Sequence, residues 1–504
     1  MLIQTANSFG TYPPVLIFPL FQNETLTNAL SKIAALCGID ATLLTTGFKA
    51  ELKEMHQIYV VNRRKPELKK VYLLGLGANP SSAEILDVFR SFAHRNKTTL
   101  PSSIGLDLLT TNATQRKETI KTVAEAAANG ILLGHYNIGQ YKTNAKTPYA
   151  LLSEEASLTI ITGKQFTETA NNAARKGLDI AQTQMYIFHL VNGSSNHVTP
   201  THIGECAIES GARHGFQVTV YDKIQIQTLG LHALLAVNRG SETPPTFIVM
   251  EYQPKQHSNK TLPKIGLVGK GITFDTGGLS IKTANMQYMK SDMGGAAAVL
   301  GIMEVAAKLQ LPLHLIGIIP STENSVDATA IKPSDVINSY SGKTIEVDNT
   351  DAEGRLILAD GLTYLKRNFN PDVMIDLATL TGNCVMALGY KAAGLFCNSQ
   401  ALADKLLQSA GATGERLWQL PLWDAYKKET QSDVADIKNH SGSPLAGAIV
   451  AAKFLEAFIE NHTAWAHLDI AGTAFGDSEY SNAKSATGYG IRLLTHYLEQ
   501  LAAG

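Results

Sequence analysis

Only four cysteines, Cys37, Cys206, Cys384 and Cys397, occur in 504 residues, and none forms a CxxC pair. Such spacing suggests neither a disulfide framework nor a thiolate zinc site, so each reads as a small buried apolar residue. The chain also lacks any stretch approaching the roughly 18 apolar residues that a membrane span needs. Its opening, MLIQTANSFGTYPPVLIF, has no basic segment ahead of an apolar core, so a cytoplasmic protein is expected. Excess charge is missing too: the net value is −1, giving no global attraction for nucleic acid or acidic membrane. HExxH does not occur among the fourteen histidines, and GxxxxGK[ST] fails because Gly271 follows Lys270.

What is present is the composition of a folded protein, 44% hydrophobic and 17% charged. The length is too great for one ordinary core and predicts two domains. Residues 1–163 alternate short apolar runs (PVLIF, HQIYVV, KKVYLLGLG, LTIIT) with helical patterns, the signature of α/β layering. Residues 164–192 carry apolar positions at three- and four-residue spacing without proline, which predicts a long linking helix. From 193 to 504 a second series appears: FQVTVYD, TFIVMEY, KIGLVGK, LHLIGII, DVMIDLA and AHLDIAG, separated by helical stretches near 293–309, 354–368 and 446–459. Continuous apolar strands of this kind suit a sheet covered on both faces. Charge is mildly uneven, +4 over residues 1–163 and −5 over the remainder.

In sheets of this type ligands sit beyond the carboxyl ends of strands, so polar residues following the apolar runs are the candidates. Three segments stand out. GLVGKGITFDTGGLSIK supplies Lys270, Asp275 and Lys282; MKSDMGG supplies Asp292 at the start of a small-residue helix; EVDNTDAEGRL supplies Asp351, Glu353 and Arg355. Asp351 and Glu353 are two apart, which in extended backbone aims both to one side. Carboxylates so concentrated repel one another unless positive charge lies between them, and oxygen-ligated divalent cations supply it. Two such ions can share a water and polarise a carbonyl, the chemistry of metal-assisted amide hydrolysis.

Singly, each residue has a plainer reading. Asp292 could cap a helix, Glu353 could be a first-turn acid, Asp351 a turn residue, and Lys282 and Arg355 surface ion-pair members. Asp-Thr-Gly at 275–277 also occurs in aspartic proteases, but those need two such aspartates in a β-rich setting. His467, inside a strand, reads as a satisfied core residue, and the run at 63–65 as a solvated face.

NTDAEGRL at 349–356, with VGKGITFD at 268–275 and MKSDM at 289–293, resembles the leucine aminopeptidase family. LVN..SN.VTP at 190–200, DLATLTG at 376–382, the Ala435–Asn439 stretch and W.HLDIAGTA at 465–474 extend the resemblance over roughly residues 165–502. It implies a smaller N-terminal, macro-like α/β domain joined to a larger C-terminal catalytic α/β domain with a central mixed sheet. It also implies two divalent ions (Mn²⁺ or Zn²⁺, possibly Mg²⁺) held by Lys270, Asp275, Asp292, Asp351 and Glu353. Lys282 would then stabilise the oxyanion, and Arg355 would hold a bicarbonate acting as general base. Met289, Thr379 and Gly382 would shape a pocket for leucine- or methionine-like first residues with broad preference, and the assembly would be a homohexamer of two stacked trimers. IKPSDV at 331–336, PLAGAIVAA at 444–452 and VNGSSNHVTP depart from the usual pattern without touching the implied ligands.

Two other classes remain open at the level of sequence. The +4 balance of residues 1–163 motivates an additional DNA-binding or regulatory role, although that charge is slight. Carboxylate clustering is also compatible with a two-metal phosphoesterase.

Overall fold

A computed structural model describes all residues except 61–63, 112–115, 144–148, 255–261, 477–479, 482 and 504. The chain divides into two units, Met1–Met185 and Tyr186–Gly504.

In the first unit six strands form one sheet: β1 (Leu2–Ala6), β2 (Val15–Leu20), β3 (Met55–Tyr59), β4 (Lys70–Gly75), β5 (Ser103–Asp107) and β6 (Ser157–Ile161). Their order is β1-β6-β5-β2-β4-β3, with only the β3–β4 pair antiparallel. The sequence VLIFPL of β2 is apolar throughout because both faces of the strand are covered. Val15 and Ile17 face a cluster with Val88, Phe89 and Val123 from the helices Ser82–Asn96 and Lys117–Leu133. Leu16, Phe18 and Leu20 point the other way, onto Leu30 and Ile33 of the helix Leu26–Cys37. Fully burying each such side chain contributes about 1.5–3 kcal/mol. Ser81 and Glu84 close a reciprocal capping box that starts the helix Ser82–Asn96.

The strands Leu2–Ala6 and Ser103–Asp107 are not among the apolar runs singled out above, since each is short and carries polar residues. The long helix runs Thr167–Asn192, preceded by a 3-10 turn at Lys164–Phe166.

The second unit is built on a nine-stranded sheet of β7 (Gln217–Tyr221), β8 (Thr246–Tyr252), β9 (Lys264–Gly269), β10 (Gly271–Asp275), β11 (His314–Asn324), β14 (Val373–Ala378), β15 (Ala393–Cys397), β16 (Leu417–Gln419) and β18 (Trp465–Asp469). The small strands β12 (Val336–Asn338), β13 (Thr344–Glu346) and β17 (Ile437–Lys438) form a separate three-stranded sheet. The main order is β16-β15-β18-β14-β9-β11-β8-β7, with β10 paired to β11. Its centre is parallel, while β8 and β15 pair antiparallel with β11 and β18, so the sheet is mixed.

Helices Gly294–Lys308 and Gly354–Phe369 cover opposite faces of that centre. A Cβ added to Gly266 would strike Leu365 of the second helix, whereas one on Gly317 would strike Met303 of the first. Close approach is enforced at Gly295, where a Cβ would stand 2.1 Å from the Leu377 carbonyl oxygen. Both helices therefore begin just beyond the carboxyl ends of β9 and β14, and their positive N-terminal ends converge there. No described helix is long and apolar enough to cross a membrane. Cys37, Cys206 and Cys384 are buried and Cys397 is half-buried.

Candidate active site

Lys270 is the first residue beyond β9. Its backbone N–H donates to the Leu377 carbonyl at 3.0 Å, and its carbonyl accepts from Ala296 N at 2.9 Å, fixing it between sheet and helix. The side chain is buried, and its ammonium stands 2.9 Å from Asp292 Oδ2 and 3.0 Å from Glu353 Oε1. It donates further to the Thr379 carbonyl at 2.8 Å. Gly354 lies against it: a Cβ there would come within 2.7 Å of Lys270 Nζ, so any larger residue would push the ammonium out of place.

Asp275 ends β10, where the pairing register with β11 shifts. Irregularities of this kind re-aim a side chain. One Asp275 oxygen accepts from Asn324 Nδ2 and from Gly277 N, both at 2.8 Å. The other stands 2.7 Å from Lys282 Nζ, which in turn reaches Asp351 Oδ1 at 2.5 Å. Oxygens of Asp275, Asp351 and Glu353 lie within 4.8 Å of one another. Asp292 follows the 3-10 turn Met286–Ser291 and accepts from Thr379 Oγ1 at 2.7 Å.

The structure thus brings Lys270, Asp275, Lys282, Asp292, Asp351, Glu353 and Arg355 to one cavity of about 610 Å³, which Met289, Thr379 and Gly382 also line. Convergence of Asp351 and Glu353 does not come from extended backbone. Residues 350 and 351 form a turn and Glu353 has helical φ −73° and ψ −37°. The turn brings the carboxylates together as a strand would, by a different route.

Asn439, noted above only as the end of a motif, turns out to clamp that loop. It is fully buried; its Oδ1 accepts from Asp348 N at 2.8 Å and Asn349 N at 3.3 Å. Its Nδ2 donates to the Asn349 carbonyl at 2.8 Å, and its own carbonyl accepts from Arg355 Nη1 at 2.6 Å. His440, which also lines the cavity, sits 3.0 Å from Asp348 Oδ2. No single-residue signal marked either, because an asparagine or histidine in a loop carries no periodicity. His467 is fully buried, with Nδ1 2.6 Å from Asp376 Oδ1 and its ring stacked on Phe396. Of the run at 63–65, residue 63 lies outside the described residues; Arg64 is exposed.

Electrostatics expose what the protein groups alone leave unbalanced. Burial, followed by the neighbouring carboxylates, pushes the Glu353 carboxyl well above its ordinary value, and the same causes raise Asp292 and Asp351. Burial pulls Lys270 down, yet Asp292, Glu353 and Asp275 outweigh it and hold the ammonium above its usual range. Arg355 is pushed down to about 10 by burial. Glu353 Oε2 and Arg355 Nε are buried without a hydrogen-bond partner, while Asp292 Oδ2 and Asp351 Oδ1 face the Lys270 and Lys282 ammonium groups. Carboxylate oxygens converging within 4.8 Å, one of them buried without a partner, are what a divalent cation would take up, so this donor set fits bound metal.

A mixed sheet with acids and lysines interleaved beyond its strand ends is an arrangement suited to metal-dependent hydrolysis. The particular family comes from comparison with known proteins. Residues 186–495 match the cytosol aminopeptidase family, catalytic domain, and residues 17–145 match the N-terminal domain of the same family. The chain belongs to the cytosol aminopeptidase family and is an aminopeptidase. It is 43% identical over 497 residues to a probable cytosol aminopeptidase of Chloroherpeton thalassium, covering 95% of this chain and 96% of that one. A second relative, the probable cytosol aminopeptidase of Chlorobaculum parvum, is 54% identical over 329 residues, 65% of each chain. Among solved structures, the bottromycin maturation enzyme BotP in complex with Mn superposes with a TM-score of 0.83 at 29% identity, covering 97% of this chain and 99% of that one.

Proposed function

We propose that Lys270, Asp275, Asp292, Asp351 and Glu353 hold two divalent ions, Mn²⁺ or Zn²⁺, with which the enzyme removes the first residue of a peptide. The oxygens of Asp275, Asp351 and Glu353 that converge within 4.8 Å on one cavity, with Glu353 Oε2 buried and without a partner, carry this reading. When bound, such ions lower the pKa of a shared water and polarise the scissile carbonyl. Lys270 serves as a neutral ligand: the dications' own charge, added to burial, reverses the raised affinity for a proton that the carboxylates alone impose.

Lys282 keeps its proton, held between Asp275 and Asp351, and stabilises the oxygen of the carbonyl as it becomes tetrahedral. Arg355 has one guanidinium nitrogen on the Asn439 carbonyl and a buried Nε without a partner. Its planar fork would suit a bicarbonate, which, if held there, would supply a general base. Met289, Thr379 and Gly382 form the side-chain pocket, where Gly382 leaves open space, with nothing within 4 Å of an added Cβ. Leucine and methionine suit an apolar cup with a single hydroxyl, and the preference is broad because each methylene is worth only about 1–3 kcal/mol.

A cytoplasmic homohexamer of two stacked trimers belongs to the same reading, checked by light scattering. The decisive assay is release of leucine from a leucyl anilide with added Mn²⁺. Chelation and Glu353→Ala should both abolish it, and activity that survived either would refute the ligand set.

A further inference from the structure

Three cations of the cavity are committed to partners within it. Lys270 pairs with Asp292 and Glu353, Lys282 with Asp275 and Asp351, and Arg355 with the Asn439 carbonyl. Lys484 lines the same cavity and, among the described residues, pairs with no carboxylate. Its ammonium lies 5.1 Å from the ring centroid of Tyr288 and 5.1 Å from that of Tyr390, with the Tyr390 hydroxyl 3.4 Å away. Two aromatic faces hold a cation by their quadrupoles while leaving N–H donors free.

The supports of Lys484 are themselves fixed. It immediately precedes the strand Ser485–Ala486, which pairs with Phe475–Gly476, and the Phe475 ring packs 6.2 Å from Tyr288. Ala486 N donates to Asn192 Oδ1 at 2.9 Å. This wall meets the proposed side-chain pocket. Tyr288 adjoins Met289, and a Cβ on Gly294 would stand 3.0 Å from Ala474 Cβ and 3.4 Å from Thr379 Cγ2, so Ala474, beside Phe475, faces the same helix start as Thr379.

A cavity with an acidic cluster on one wall and, on another, a positioned ammonium that pairs with no carboxylate among the described residues is polarised. A peptide with a free amino end and a carboxylate matches that polarity. We propose that Lys484 binds a carboxylate of the peptide substrate, adding acidic or short peptides to those the enzyme prefers; this rests on the aminopeptidase reading of the cavity. The carboxylate has two sources, the side chain of a first-position glutamate and the chain terminus of a short peptide.

Both are separated by measuring kcat/KM of the full-length, Mn²⁺-loaded enzyme on two substrate pairs. Glutamyl against leucyl anilide tests the side chain; Leu-Gly-Gly against its C-terminal amide tests the terminus. In K484M the preference for the carboxylate-bearing member of one pair should fall by about ten-fold or more. K484R, which keeps the charge, should largely retain it and controls for folding. If leucyl activity persists while both ratios in K484M stay within two-fold of the unsubstituted enzyme, the inference is overturned alone. Absence of activity on all four substrates in the unsubstituted enzyme would overturn the aminopeptidase reading and this inference with it.

Discussion

Both units end parallel strands in aspartate, and what becomes of those aspartates differs. In the first unit Asp107 closes β5 and is consumed locally. One oxygen accepts from Leu109 N at 2.9 Å and Thr110 N at 2.7 Å, and the other from Thr110 Oγ1 at 3.1 Å. In the second unit Asp275 closes β10, but it converges with Asp351 and Glu353 on one cavity, where the carboxylates face ammonium groups and Glu353 Oε2 is left without a hydrogen bond. The same layered architecture thus yields a turn in one place and a reactive cleft in the other. Chemistry resides where the fold leaves polar atoms unsatisfied at a cost that a ligand can offset.

The largest effects should come from the second set. Beyond the loss expected for Glu353→Ala, Lys282→Ala should lower kcat by about 10²–10³-fold, the usual effect of deleting an oxyanion-stabilising donor. Steady-state kinetics on leucyl anilide would settle it. A kcat within a few-fold of the parent would mean that Lys282 merely neutralises Asp275 and Asp351.

Next in size is the clamp. Asn439→Ala strips the partners from Asp348 N and Asn349 N, which should cost about 1–3 kcal/mol of stability by leaving donors unsatisfied. Because that loop carries Asp351 and Glu353, metal affinity should weaken by about 10–100-fold. Isothermal titration with Mn²⁺ tests the coupling; loss of stability with unchanged affinity would separate the clamp from the site.

The contrast between the units also explains what the sequence made legible. The strands KIGLVGK, TFIVMEY and DVMIDLA announced themselves by unbroken apolar runs, and the charge beyond them pointed to Lys270, Asp275 and Glu353. Hidden from that reasoning were the short polar strands β1 and β5, and the turn, rather than extended chain, that unites Asp351 with Glu353. Hidden too were Asn439 and Lys484. Both act through contacts between segments far apart in the chain, Asn439 on residues about ninety positions earlier and Lys484 on Tyr390 and Tyr288. Local pattern carries no trace of such tertiary pairing.

The smallest expected effect sharpens the comparison from the other side. Burial raises the Asp107 carboxyl above its ordinary 3.8, although its hydrogen bonds from Thr110 and Leu109 pull it back. A raised acid binds its proton more tightly in the folded than in the unfolded chain, so its contribution to stability is full below about pH 4 and fades as pH rises through the folded value. Asp107→Asn preserves Oδ1 for the two backbone donors and cannot ionise. It should change stability by no more than about 1 kcal/mol, flatten the decline above pH 4 in thermal melts, and leave leucyl anilide hydrolysis unaltered. A variant that instead lost activity would mean that the strand-end aspartate of the first unit is no simple turn former, and the distinction drawn between the two units would fail.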